Sequence, residues 1–430
     1  VSESLPLWVD VFRVLVAFLV FLLTTAVLIW GERRLVGLMQ SRLGPNRIGP
    51  LGIGQTLIDG VKMFFKEDVT PSMVEKAVFT VAPLVGVIVS FMTIAVIPVG
   101  GEWTMFGETF TLQAADLNIG VLWVLAMGSL HVYAVFLAGW ASQSPYPLIG
   151  GVRSSAQMIS YEIAMGLAVA SVFIYTGSFR VSDIVAAQAG EGVFPGAPGW
   201  FFLPLFPAFA VFVVSMVAEA QRPPFDLAES EGDLVAGFHT EYSGMRFGMF
   251  MLSEFMGVVI QSAIVVTLFF GGPSGPVFGP TWLANLLPVV WFMAKTVVFI
   301  CFFVLLRGSQ ARARYDKLMN LGWKVMIPAG LVWAMATAAL VIADDSAGVP
   351  EGAPDQTLAG IVGFALLLLG LFAMPRLARD ERARTQLATS DAVALPPPDS
   401  AVPVTTEIPP SGQFALTAER AERTDQEVTH

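Results

Sequence analysis

Residues 9–31 read VDVFRVLVAFLVFLLTTAVLIWG, an apolar run whose only charges are Asp10 and Arg13 near its start. A helix rising about 1.5 Å per residue needs about 20 such residues to cross a hydrocarbon core ~30 Å thick. This run meets that length, and so do apolar segments near 76–98, 120–141, 155–176, 201–220, 249–270, 286–306, 323–343 and 357–375. A mean hydropathy of +0.69, with 55% hydrophobic and 13% charged residues, places the chain among membrane proteins rather than soluble globules. The expected fold is an all-α polytopic membrane protein with about nine transmembrane helices. The first run lacks the basic leader and small-residue cleavage site of a secretory signal, so it is expected to remain as a helix.

All Lys and Arg except Arg13, Arg180 and Lys295 fall in segments 32–76, 142–155, 221–249 and 307–324 or after residue 375. By the positive-inside rule these segments and the C-terminal tail face the cytoplasm or matrix, and the N-terminus faces the other side. Residues 1–375 read as one helical membrane domain. Residues 376–430 turn charged and then Pro-rich (Leu395-Pro-Pro-Pro, Ile408-Pro-Pro), too poor in apolar side chains for a core, so a disordered cytoplasmic tail is expected.

Composition also narrows function. A net charge of -10 gives no reason to expect nucleic acid as a partner. The single cysteine, Cys301, supplies neither a disulfide nor the ligands of an iron-sulfur cluster. His131, His239 and His430 lack metal-ligand spacing, and no phosphate-binding fingerprint follows a strand, so no metal site and no cofactor bound by this chain alone are expected.

In the first basic loop Ile53, Leu57, Ile58, Val61, Phe64 and Phe65 share one helical face, and Gln55, Asp59, Lys62 and Lys66 the other. That pattern predicts an amphipathic helix lying at the membrane interface, either a doorway for a lipid-soluble molecule or a plain connector.

The stretch Glu219–Glu241 holds six carboxylates, Glu219, Asp226, Glu229, Glu231, Asp233 and Glu241, between apolar helices, with Arg222 and then Arg246 as the nearby cations. Glu162 and Glu254 stand inside spans that begin on the same side, about two turns and one turn in. Crowded acids share protons and titrate as a set, so together they suit a hydrated proton path. The plainer alternative is structural neutralisation of each acid by Arg222, Arg246 or Lys295. Lys295, deep in the seventh span, suits either a counter-ion or a relay, and His131 suits packing.

Three stretches then carry a resemblance: Gly31–Pro50 (GERRLVGLMQSRLGPNRIGP), Arg222–Phe238 (RPPFDLAESEGDLVAGF) and Arg314–Met319 (RYDKLM). Over roughly residues 8–345 the chain resembles the family of the membrane-embedded H subunit of bacterial NADH-quinone oxidoreductase, equivalent to subunit 1 of mitochondrial complex I. The resemblance implies a proton-pumping enzyme complex in a bacterial cytoplasmic membrane or an organelle inner membrane, with other complex I subunits of the hydrophilic and membrane arms as partners; the ninth span and the Pro-rich tail favour the bacterial membrane. Quinone would be the substrate, and iron-sulfur clusters and flavin would reside in partner subunits.

It also implies roles by position. Glu32, Arg33, Arg42, Asp59, Lys62, Arg307, Arg312 and Arg314 fall where the family lines or approaches the quinone chamber. Glu162, Glu219, Asp226, Glu229, Glu231, Asp233, Glu241 and Glu254 fall on its acidic path toward the pump, and Lys295 is a further candidate there. Asp233 stands where relatives often carry Glu, and Ala311 where they often carry Pro. Two rivals remain at this level, the related subunit of a membrane-bound hydrogenase and an independent proton or cation transporter. Transporters commonly show internal repeats, and the halves of this chain show none.

Overall fold

The computed structural model describes residues 6–105, 108–190, 198–226 and 235–346. The ninth expected span near 357–375, the Pro-rich tail, and Glu229, Glu231 and Asp233 lie outside the described residues. Eleven helices run in order: α1 (Leu7–Met39), α2 (Gln55–Phe65), α3 (Lys76–Ile94), α4 (Gly120–Ala141), α5 (Pro145–Thr176), α6 (Val181–Ala187), α7 (Phe206–Glu219), α8 (Gly244–Phe269), α9 (Thr281–Ser309), α10 (Tyr315–Leu321) and α11 (Ile327–Ser346). A π-helical turn, Gly322–Met326, joins α10 to α11, and one continuous span results.

Among the described residues seven helices are long and apolar enough to cross a membrane, and α7 is a shorter apolar helix of 14 residues. The expected span at 201–220 is thus partly turns, at 201–205, because the chain enters α7 with Pro207 in its first turn. Among the described residues one element, a two-stranded sheet, is not helical. Glu102–Met105 and Glu108–Thr111 pair antiparallel between α3 and α4, and Asn285 of α9 donates to the Thr104 carbonyl at 3.0 Å.

The spans extend past their apolar windows, which corrects the depth of two acids. α5 starts at Pro145, whose fixed φ suits a helix start, and ends at Gly177 with φ 69. Glu162 therefore stands almost five turns into α5, and Glu254 almost three turns into α8, not two and one.

Helix α5 packs against α4, α7 and α11, and α3 against α4 and α8. Close approach rests on small residues, the usual device where apolar side chains gain nothing by leaving lipid. At Gly139 a Cβ would lie 2.5 Å from the Pro147 carbonyl oxygen, so α4 and α5 meet only if this position stays glycine. Large apolar side chains on the outer faces, such as Leu15, Leu19, Leu23 and Val27 of α1, are exposed, as expected of lipid-facing positions.

Candidate functional site

Four charged side chains from distant parts of the sequence form a line. Arg307, near the end of α9, donates to Glu32, near the end of α1. Arg222, just after α7, donates to the same Glu32 oxygen at 3.1 Å and stands 3.0 Å from Glu254 of α8. Its guanidinium also covers the Phe255 ring at 4.8 Å. Glu32 and Arg222 are 6% and 5% exposed, so each depends on the other for its charge to be tolerable. A fork of fixed donors can hold two carboxylates at once, which an ammonium point charge does less well.

Beyond Glu254 lies a cavity of about 90 Å³, room for several waters, lined by Ser90, Thr93, Gly128, His131, Glu219, Gln221, Ser253 and Gln261 among others. Glu219 closes α7, is buried, and one of its oxygens has no hydrogen-bond partner among the described residues. Glu162 stands beside Gly128, outside the lining of that cavity. It accepts from Ser129 of α4, and one of its oxygens is 3.6 Å from where a Cβ on Gly128 would stand. Glu254 and Glu219 thus border one cavity inside the bundle, and Glu162 lines a separate, more open pocket with Ser129, Tyr133 and Phe136.

A second group lies at the interface. No residue of α2 is buried, and Leu57, Phe64 and Phe65 are exposed, in keeping with a helix resting against the membrane surface. Its polar face turns inward through Asp59, which pairs with Arg33, accepts from Gln55 at 2.9 Å, and stands 3.7 Å from Lys62. Partial burial pushes the Asp59 carboxyl up, but the hydrogen bonds from Arg33 and Gln55 and the charges of Arg33 and Lys62 outweigh it. The net result holds the group below its ordinary range.

The remaining candidates are placed as follows. Asp226 meets Arg312 at 3.2 Å, and the Ala313 amide donates to the Pro224 carbonyl at 2.8 Å, so the loops 222–226 and 310–314 are tied together. Glu241 lies half-buried between a 3₁₀ turn at Gly237–His239 and α8. Arg42 hydrogen-bonds Gln40 in solvent at 2.7 Å, and Arg314 pairs with its neighbour Asp316 at 3.0 Å, so neither joins the buried line. Lys295 is not with the acids. It donates to the carbonyls of Phe270, Gly272 and Ser274, at the far end of α8 from Arg222.

Among the described residues, Arg222 serves Glu32 and Glu254, while Arg246 holds Asp68 at 3.2 Å and Thr70 at 2.8 Å. Sequence reasoning missed Arg222 as the hub of two carboxylates, and it missed His131 as a cavity wall. Arg222 lies 190 residues from Glu32, and no periodicity links them.

A family model described as NADH dehydrogenase matches residues 12–338. The H subunit of NADH-quinone oxidoreductase from Frankia casuarinae is 43% identical over 405 residues, covering 92% of this chain and 88% of that protein.

Proposed function

The chain belongs to the NADH dehydrogenase family that includes the H subunit of NADH-quinone oxidoreductase, and from that premise we propose that it forms part of the quinone-reduction chamber and links it to a proton path. It acts as a subunit of that multi-subunit enzyme. Quinone is the substrate in this reading, electrons arrive from NADH through partner subunits of the hydrophilic arm, and partners of the membrane arm receive the protons. The distribution of Lys and Arg supports a multi-pass protein of a bacterial cytoplasmic membrane, with the N-terminus outside and the tail in the cytoplasm.

Reduction of a quinone to a quinol takes two electrons and two protons, so negative charge on its oxygens rises ahead of protonation. Arg33 and Lys62, held by Asp59, supply fixed positive charge where α2 meets α1. Arg307, half-exposed at one end of the buried line, is positioned to feel charge outside it. A change of charge there alters the hold on Glu32, hence the share of Arg222 left for Glu254, and so the proton affinity of the group bordering the cavity. Glu219 then lies on the same cavity as Glu254, and Glu162, beside Gly128 of its wall, is one step further on. Glu241, and Glu229, Glu231 and Asp233 in the same acidic stretch, are proposed to continue this proton reservoir toward the loop.

One observation carries the reading: Arg222 holds Glu32 and Glu254 simultaneously, and Glu254 lines the cavity that contains Glu219. The test is Glu219→Gln in native membrane vesicles, with assembly followed on a native gel. The amide keeps the shape and removes the titrating group. Assembly is expected to persist while NADH-driven proton uptake falls by at least about tenfold. Unchanged proton uptake in an assembled complex would remove Glu219 from the path.

A further inference from the structure

Between Arg33 and Ile58 the chain carries Arg34, Arg42 and Arg47 and no acid. Whereas Arg33 is matched by Asp59, no ion pair among the described residues reaches Arg34 or Arg47. Arg34 uses one amino group to donate to the Leu51 carbonyl at 3.0 Å and lies over the Trp30 ring at 5.7 Å. Trp30 donates to that same carbonyl at 3.0 Å. The positive φ of Leu51, 56°, belongs to the turn that aims this oxygen back at α1. Arg34 is thus fixed in place with donors to spare, beside a tryptophan of the kind that marks the headgroup level.

A pocket of about 200 Å³ opens there, lined by Arg34 and Asn46 and walled by Leu38, Leu43, Gly44 and Leu51. Gly44 lets the loop close down on α1, since a Cβ at that position would be 2.8 Å from the Arg34 Cα. Below the pocket the exposed positions Leu23 and Val27 lie within about 20° of Arg34 around the α1 axis, with exposed Leu19 about 60° away. On the same reckoning Leu38 and Gly31 flank Arg34 at about 40° and about 60°. A Cβ at Gly31 would meet nothing within 4 Å, so the track stays open up to the arginine.

A cation with unused donors at the headgroup level, above an apolar track of membrane depth, matches an amphiphile with an anionic head. We propose that this pocket binds the phosphate head of an anionic phospholipid, with Arg34 and Asn46 as its donors, Arg47 as a nearby second cation, and an acyl chain along the exposed stripe of α1. The proposal is independent of the proton path and of the quinone chamber.

The test uses the assembled complex in vesicles containing a trace of photoactivatable phosphatidylglycerol, or of the matching phosphatidylcholine, with labelled peptides mapped by mass spectrometry. The phosphatidylglycerol probe is expected to label residues 31–51 in preference to phosphatidylcholine, and unlabelled phosphatidylglycerol is expected to compete. Labelling is expected to drop about fivefold in Arg34→Gln and again in Arg34→Gln/Arg47→Gln. Competition in the unmodified complex keeps the test decisive if the variants do not assemble. Equal labelling by both lipids overturns the proposal. So does loss of label to millimolar inorganic phosphate alone, which means a free-anion site, or to a short-chain quinone, which means a quinone track.

Discussion

Two cations inside this molecule, Arg222 buried and Lys295 half-buried, are held in opposite ways. Lys295 spends all three of its N–H donors on backbone carbonyls, at 2.8, 3.0 and 2.7 Å, and lies 5.1 Å over the Trp200 ring. Arg222 instead answers to two carboxylates, Glu32 and Glu254. Backbone dipoles are fixed by the fold and exchange no protons, so Lys295 is a closed arrangement that fastens the turn after α8. Carboxylates change charge, so whatever happens to Glu32 is felt at Glu254 through their shared partner. Burial of a cation therefore says little by itself about function, and the identity of its acceptors says much more.

Removing the shared cation is the severest way to strain this contrast. Arg222→Met leaves Glu32 and Glu254 facing one another with Arg307 as the remaining partner of Glu32, and breaking one partner out of a buried ion network typically costs about 3–5 kcal/mol. We expect the variant to lose assembled complex on a native gel. Adding Glu254→Gln to it should recover part of the assembly, because it removes one of the two stranded charges. An Arg222→Met complex as heat-stable as the parent would mean that the line is not coupled at all.

Lys295→Met strips three carbonyls of their donor while leaving every acid in place. Its effect should be smaller, about 2 kcal/mol in thermal stability, because the turn it fastens retains its own backbone hydrogen bonds, Gly272 to Val266 at 3.0 Å among them. Proton uptake per assembled complex should stay unchanged. A loss of pumping at full assembly would show that Lys295 belongs with the relay after all, and the contrast between the two cations would fail.

What the sequence discloses follows the same division. Spans and the interfacial helix are legible because both rest on local periodicity. Leu57, Phe64 and Phe65 face outward and Asp59 inward, as the helical wheel requires. Helix ends are less legible. Apolarity marks the part of a helix that meets lipid, whereas α5 and α8 continue through polar residues such as Arg153 and Arg246 under capping and packing constraints. The pairing of charges is hidden. Arg222 sits three residues from Glu219 in the chain and by proximity suits it as a counter-ion, but the turn after α7 carries the guanidinium toward α1, 190 residues away. Nothing short of tertiary structure distinguishes those partners. In the first loop all the arginines suit topology or the chamber equally well by sequence, and only geometry separates Arg33, which has a carboxylate, from Arg34, for which no ion pair is found among the described residues.

His239 offers the mildest test, because it buries a titratable group in uncharged form. It sits in the 3₁₀ turn before α8, packed against Phe238 and Phe247, and burial lowers its pKa from 6.5 to about 4. The folded state then binds this proton less readily than the unfolded one, so stability is fully present above pH 6.5 and is lost progressively as pH falls toward 4. Between pH 7 and about pH 5.5 the loss should be about 1 kcal/mol, read as an acid-side fall in melting temperature. His239→Phe should lower the starting stability somewhat but flatten that slope. If the slope survives in His239→Phe, the acid sensitivity comes from the carboxylates instead, and the shared hold of Arg222 on its two acids becomes the element that acid loosens first.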